Sequence, residues 1–315
     1  MPVVVRFEIF SGRTNPQFEL TGEQEIELSE RVSILRTRSK RQLSSRAAGL
    51  PVIRVIRTSD KGRRVLLIGG GIVHFSPLPF GLQDDGIGKW LIDICPPSIL
   101  PHGLTGEQIL ALIDWWTEKL SKYRPPPATV PPSPPPCDPC PAADAVPFTE
   151  DWPPNPTFTY SRLWCNNCYD YANLQVTDTF SQPGYGSGEI YASHTCADMS
   201  AAAVRDGLLP VPNCTDPLGV GNGWYVALII GEVGDAPDFH WLKQDSSGCW
   251  SHKLGINGAT FLDFHGHPIR SPQTANFTLP GYPIKYDQFC SCFVTTPAVT
   301  IKGLDPTTNC WDMGY

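Results

Sequence analysis

The stretch 163–180, LWCNNCYDYANLQVTDTF, carries Cys165 and Cys168 three positions apart, and a helix-forming pattern begins at the second cysteine. With Asn167 as N-cap, Asp170 falls at N3, where it completes a capping box, and Cys168 takes the first helical position. A helix N-terminus favours a thiolate through its dipole, and its free N–H groups can stabilise an oxyanion. Cys168 is therefore a candidate nucleophile. Such a thiol needs a base, and the base needs a polar group to orient it. His240 in DFHWLKQ is the best base, and His252 in CWSHKLG follows it across the DSSG turn. In a hairpin, His240, Leu242 and Gln244 share one strand face, Trp250 and His252 share one opposite, and His252 can orient the ring of His240. The chemistry open to that set is nucleophilic catalysis, with His240 as the base.

The same cysteines admit a structural use. Of the 11 cysteines only Cys95 precedes residue 125; Cys137, Cys140, Cys165, Cys168, Cys196, Cys214, Cys249, Cys290, Cys292 and Cys310 follow. Ten in one half suit a disulfide framework in an oxidising compartment, and full pairing would consume Cys168. A free Cys168 leaves Cys137, Cys140, Cys165, Cys196, Cys214, Cys249, Cys290, Cys292 and Cys310 as the disulfide candidates, while Cys95 reads as a buried thiol ending WLIDIC. The pairs Cys137/Cys140 and Cys165/Cys168 mimic a four-thiolate zinc site, but their 24-residue gap is too long and prolines stiffen the first pair. Asp263, His265 and His267 alternate as metal ligands on a strand would, yet Gly266 and Pro268 favour a turn. No metal site and no cofactor are assigned. His240 taken alone reads as a structural strand histidine, and Trp241 and Trp250 as core. No role is assigned to His74, His102 or His194 from spacing.

The elements that must position these residues follow from composition. Residues 125–147 hold 11 prolines in 23 positions, which excludes a helix or central strand and favours extended polyproline II. That run separates a domain at 1–124 from one at 148–315. The first reads as small α+β: a strand in VVVRFEIF, a helix in LTGEQEIELSERVSIL capped by Thr21, strands in LPVIRVIRT and RRVLLIGGGIVHF, and a helix TGEQILALIDWWTEKLSKY capped by Thr105. It contains no catalytic cluster, and Gly69-Gly70-Gly71 lacks the Lys-Ser/Thr and helix start of a phosphate loop. The second domain reads as the helix at Cys168, with an apolar stripe at Tyr169, Ala172, Val176 and Phe180, and a helix at 194–208. A buried strand at 223–233, the two histidine strands and late strands around 288–302 follow, so the core is a helix on an antiparallel sheet.

Charge splits at the same boundary. Residues 1–124 carry 17 Lys+Arg against 13 Asp+Glu, and the remainder 7 against 18, for a net charge of −7 overall. The basic run at 31–64 has no interleaved aromatics and no nucleic-acid motif, so it reads as a solvated surface, and no nucleic-acid partner is expected. The longest apolar run, WYVALII, is too short to span a bilayer. The N-terminus shows no basic n-region followed by an apolar core, whereas the cysteines, with sequons at Asn213 and Asn276, favour an extracellular protein.

The segments NCYDYAN with Cys168, DFHWL with His240 and WSHK with His252 resemble the papain-like cysteine peptidase and amidase superfamily, especially its bacterial cell-wall peptidase branch. The resemblance covers the C-terminal half, and IFSGRTNPQFEL near the N-terminus is similar to a segment of two-domain bacterial proteins. It implies a papain-like fold, with Cys168 as nucleophile, His240 as base, His252 as orienting residue, and a peptide or cell-wall substrate. The oxyanion-hole glutamine of such enzymes has no evident counterpart shortly before Cys168; the local residues are Ser161, Arg162 and Asn166, which leaves Asn166 as the side-chain donor with amide chemistry. The expectation is a secreted papain-like hydrolase. Its rival is a non-catalytic extracellular fibre or coat subunit, whose partners are copies of itself and whose papain-like scaffold is crosslinked by cysteines.

Overall fold

A computed structural model describes residues 2–7, 12, 15–38, 43–44, 53–59, 62–69, 72–76, 80–84, 86–100, 104–111, 166–215, 218, 223–245, 248–255, 259–279, 281 and 283–303. The chain forms two units, one of Met1–Ile9, Asn15–Arg124 and Trp311–Tyr315, the other of Phe10–Thr14 and Pro125–Cys310. The proline-rich run 125–147 lies outside the described residues, as do Cys137, Cys140, Cys165 and Cys310.

The first unit contains β1 (Val3–Phe7), β2 (Gln17–Glu19), α1 (Gly22–Arg38), β3 (Leu43–Ser44), β4 (Ile53–Ser59), β5 (Gly62–Gly69), β6 (Ile72–Ser76), β7 (Phe80–Gln83) and α2 (Ile87–Asp93). Its strands form one antiparallel sheet in the order β2-β1-β4-β5-β6-β7-β3. Thr21 caps α1 as expected: its hydroxyl accepts from Gln24 N–H, and the Gln24 side chain accepts from Thr21 N–H. Thr105 and Gln108 repeat that arrangement at the helix starting at 106, of which 106–111 are described. β5 pairs with β6 up to Gly69 opposite Ile72, while the rest of the triple glycine, Gly70 and Gly71, lies outside the described residues. Cys95 is a buried free thiol, and burial pushes its pKa up to about 11.

The second unit contains α3 (Cys168–Ala172), α4 (Cys196–Arg205), β8 (Leu209–Val211), β9 (Trp224–Val233), β10 (Ala236–Gln244), β11 (Trp250–Lys253), β12 (Ala259–Thr260), β13 (Phe277–Thr278) and β14 (Ile284–Thr295). Its sheet runs β12-β11-β10-β9-β14-β13, with β8 also on β14, and all its pairs are antiparallel. The chain is thus α+β. Alternation sorts the side chains onto two faces. Trp224, Val226, Leu228 and Ile230 of β9, Phe239 and Trp241 of β10, and Phe293 of β14 pack with Tyr169 and Ala172 of α3 and Met199 and Ala203 of α4. Gly231 lies where β14 shifts register; a Cβ there would meet the Lys285 carbonyl at 1.8 Å.

Two disulfides pin this layer. Cys196, opening α4, bonds Cys290, and Cys214 bonds Cys292, both on β14. The bridges close loops of 94 and 78 residues, and constraints of that kind stabilise by about 2–5 kcal/mol each. Cys249 is also disulfide-bonded.

Candidate functional site

The expected start of α3 is present. Asn167 has extended backbone angles, its side chain accepts from Tyr169 N–H and Asp170 N–H, and Asp170 returns a bond from the Asn167 N–H. The helix is much shorter than its apolar stripe suggests, ending at Ala172. Gln175 N–H bonds the Asp170 carbonyl and Leu174 N–H the Tyr171 carbonyl, a Schellman closure with Leu174 at φ 51°. Glycine is the usual sign of that stop, and a leucine conceals it. Val176 consequently packs on Tyr171 and Ala259 in a separate cluster rather than extending the stripe.

Cys168 stands at the first helical position, as the capping pattern requires, and is not in a disulfide, so the reading in which it is bridged is corrected. Its sulfur is fully buried and lies 3.9 Å from the Phe239 carbonyl. His240, however, projects from the opposite face of the sheet. Phe239 and Trp241 point toward α3, the Tyr169 and Trp241 rings lying 4.9 Å apart, so the residue between them must point away. His240 meets Phe277 and Tyr286 instead, at ring separations of 5.7 and 5.5 Å. The expected pairing of Cys168 with His240 is corrected for that reason: a β-sheet stands between thiol and imidazole.

His252 does orient His240, as the hairpin register implies. Leu242 is opposite His252, and His240 Nε2 lies 2.8 Å from His252 Nδ1. His252 Nε2 faces the Leu262 carbonyl at 2.9 Å. A carbonyl only accepts, so His252 carries its proton on Nε2 and receives one at Nδ1 from His240. Burial is the main force pulling His240 well below its usual range, with smaller contributions from the His252 and Lys253 charges. Burial likewise brings His252 down to about 4, against the Leu262 bond and the Asp263 charge. The pair is neutral and enclosed by aromatic rings, including Phe264 and Phe277 against His252.

The Asn166 side chain, expected as an oxyanion donor, is engaged by Thr177 and Asp178. Its side-chain oxygen accepts from Thr177 N–H and Asp178 N–H and its amide donates to the Asp178 carboxylate, which fixes the turn after α3. Asn167 and Gln182 direct their amides to Gly12. Asn167 Nδ2 donates to the Gly12 carbonyl at 2.8 Å and Gln182 Nε2 to the same oxygen at 2.7 Å, while Gly12 N–H donates to Asp238 Oδ1 at 3.3 Å. Gln182, in TFSQPG, was legible only as a polar loop residue. Gly12 has no side chain to reveal its part.

On the helix side of the sheet, Lys243 pairs with Asp245, which also accepts from Ser251; Ser251 in turn bonds Tyr171 at 2.9 Å. Lys253 donates to the carbonyls of Asn166 and Gly255. Asp170 accepts from Ser181, Thr177 and the Asn167 N–H, yet burial outweighs those bonds and raises its carboxyl to about 7. Asp263, His265 and His267 form a turn rather than a ligand strand: both histidine N–H groups bond Asp263 Oδ1, and Gly266 has φ 83°. No helix among the described residues is long and apolar enough to cross a membrane.

No family model and no solved structure matches the chain. Over 113 residues it is 38% identical to insoluble matrix shell protein 1 of Ruditapes philippinarum, an alignment covering 35% of this chain and 70% of that protein.

Proposed function

Because this chain belongs to the family of insoluble matrix shell protein 1, we propose that it is a non-catalytic structural protein of an extracellular matrix, joined there to copies of itself. One observation favours this over hydrolysis: Cys168 and His240 lie on opposite faces of one sheet, so the thiol has no base in His240. The two bridges onto β14 suit an oxidising exterior and a scaffold that must keep its shape. In our reading the helix-on-sheet unit is a papain-like scaffold turned to structural use, with the Cys168 thiol serving as packing.

The test has two arms. Oxidised full-length protein is incubated with fluorogenic peptide amides and cell-wall peptides, beside Cys168→Ala. The matrix of the source tissue is extracted with and without reductant and probed with an antibody. Equal, background turnover by both proteins and retention in the insoluble matrix are expected. Turnover lost in both Cys168→Ala and His240→Ala would overturn the reading.

A further inference from the structure

The polar groups around Gly12 form more than a loop anchor. Asn167, Gln182 and Asp238 are each at most 1% exposed, and together they satisfy both the carbonyl and the N–H of one peptide unit. All three are held from behind. Asn167 is fixed by its cap bonds, Gln182 Oε1 accepts from Tyr191 OH at 2.9 Å, and Asp238 Oδ2 accepts from Tyr286 OH at 2.6 Å. Two amide donors converging on one carbonyl, with an acceptor for the neighbouring N–H, read a peptide backbone rather than a side chain. The fourth wall selects the residue. A Cβ on Gly12 would lie 2.4 Å from the Phe239 ring, which is wholly buried beside Tyr191 and cannot withdraw. The clamp therefore takes glycine and excludes every larger residue.

From this the structure assigns a glycine-selective peptide-docking site to the second unit, with Gly12 as its bound residue, and we infer that a second copy of the chain can supply the same glycine. Gly12 lies 155 residues from Asn167 in sequence, with the 11-proline run between them. A ligand so remote from its clamp competes with the same segment of neighbouring copies once their concentration approaches its effective concentration. Exchange of an identical element between copies is a low-cost route to oligomers, and when exchange does not close on itself it yields chains. The copy-to-copy step rests on the assembly reading above; recognition of the peptide by the clamp stands without it.

Two full-length variants separate ligand from clamp. Gly12→Val spoils the segment and leaves the clamp intact, while Gln182→Leu spoils the clamp and leaves the segment intact. A labelled peptide EIFSGRTNP should bind the Gly12→Val chain at least about tenfold more tightly than it binds wild type, whose own segment competes. The same peptide with valine in place of glycine should not bind. Mixed one to one, the two variants should form a heterodimer by analytical ultracentrifugation that neither forms alone. On wild-type protein, millimolar peptide should speed hydrogen exchange at the Gly12 amide, a readout that does not depend on either variant folding. Equal binding of the glycine and valine peptides, or unchanged exchange at Gly12, would overturn the clamp. Peptide binding without a heterodimer would overturn exchange between copies while leaving the clamp and the matrix reading standing.

Discussion

The two faces of the second unit's sheet bury polar groups in opposite ways. Under the helices, Lys243, Asp245, Ser251 and Tyr171 form an ionic and hydrogen-bonded chain. On the far side, His240 and His252 form a neutral pair inside a box of Phe264, Phe277 and Tyr286. His240 and Lys243 are three residues apart on one strand, an odd spacing that sends them to different faces. A cysteine on α3 can therefore meet the backbone of β10 and the side chains of Phe239 and Trp241, but not the imidazole between them. The difference teaches that residue types suited to a dyad do not form one unless strand parity agrees.

The largest expected effect tests the ionic face. Lys243→Ala leaves Asp245 buried without its cation, a change that costs about 3–5 kcal/mol. Replacing the pair together, with Lys243→Met and Asp245→Leu, should cost markedly less, because no charge is stranded. Urea unfolding monitored by tryptophan fluorescence measures both. Equal losses in the two variants would mean that the pair matters through volume rather than charge.

Parity also explains what could be read in advance. The caps at Thr21 and Thr105, the capping box at Asn167, the strand-hairpin-strand of 236–253 and the buried thiol of Cys95 follow from local spacing, and the structure has them. The orientation of His252 on His240 was legible as well, since it needs only hairpin register. The face of β10 that receives α3 was not, because HWLK is buried on both sides and its pattern gives no inside or outside. The end of α3 was hidden by Leu174, which adopts a left-handed conformation that a glycine would have announced. The clamp was illegible because its ligand is a glycine and its parts, Gly12, Asn167, Gln182 and Asp238, come from distant segments.

Acid should distinguish the faces by the sign of its effect. His252 titrates near 4 when folded and near 6.5 when unfolded, so the unfolded chain binds more protons between those values. Its contribution to stability is present above pH 6.5 and is lost as pH falls through 4, by about 3 kcal/mol at about 1.4 kcal/mol per unit. His240, also depressed by burial, works in the same direction. Asp170 has the opposite sign. Its folded value of about 7 lies above the usual 3.8, so its contribution is full below 3.8 and is lost as pH rises through 7. Between pH 6.5 and 4 the two faces offset each other. Calorimetry should show a shallow wild-type profile and an acid-side fall in Asp170→Asn that is steeper by several degrees of Tm. His240→Phe/His252→Leu should reverse the slope. Parallel profiles for all three proteins would remove the electrostatic contrast between the faces.

At neutral pH the histidine face should be the more forgiving one. His252→Leu removes an acceptor from His240 and a donor from the Leu262 carbonyl, a loss of about 1–3 kcal/mol for buried groups left unpaired. Adding His240→Phe should recover part of it, since no ring N–H is then stranded. A double-mutant cycle by urea unfolding gives the coupling, and strict additivity would show that the two rings do not act as a pair.

The smallest effect concerns the residue that first suggested chemistry. Cys168→Ala removes one buried sulfur that bonds only weakly to the Phe239 carbonyl, so a loss of about 1 kcal/mol is expected, typical of a modest core truncation. The same burial predicts its reactivity. Iodoacetamide added to the unreduced native protein should leave Cys168 and Cys95 unlabelled, and both should label on unfolding without reductant. Cys196, Cys214, Cys249, Cys290 and Cys292 should label only after reduction. Rapid labelling of Cys168 alone in the native state would instead make the helix face reactive rather than merely packed.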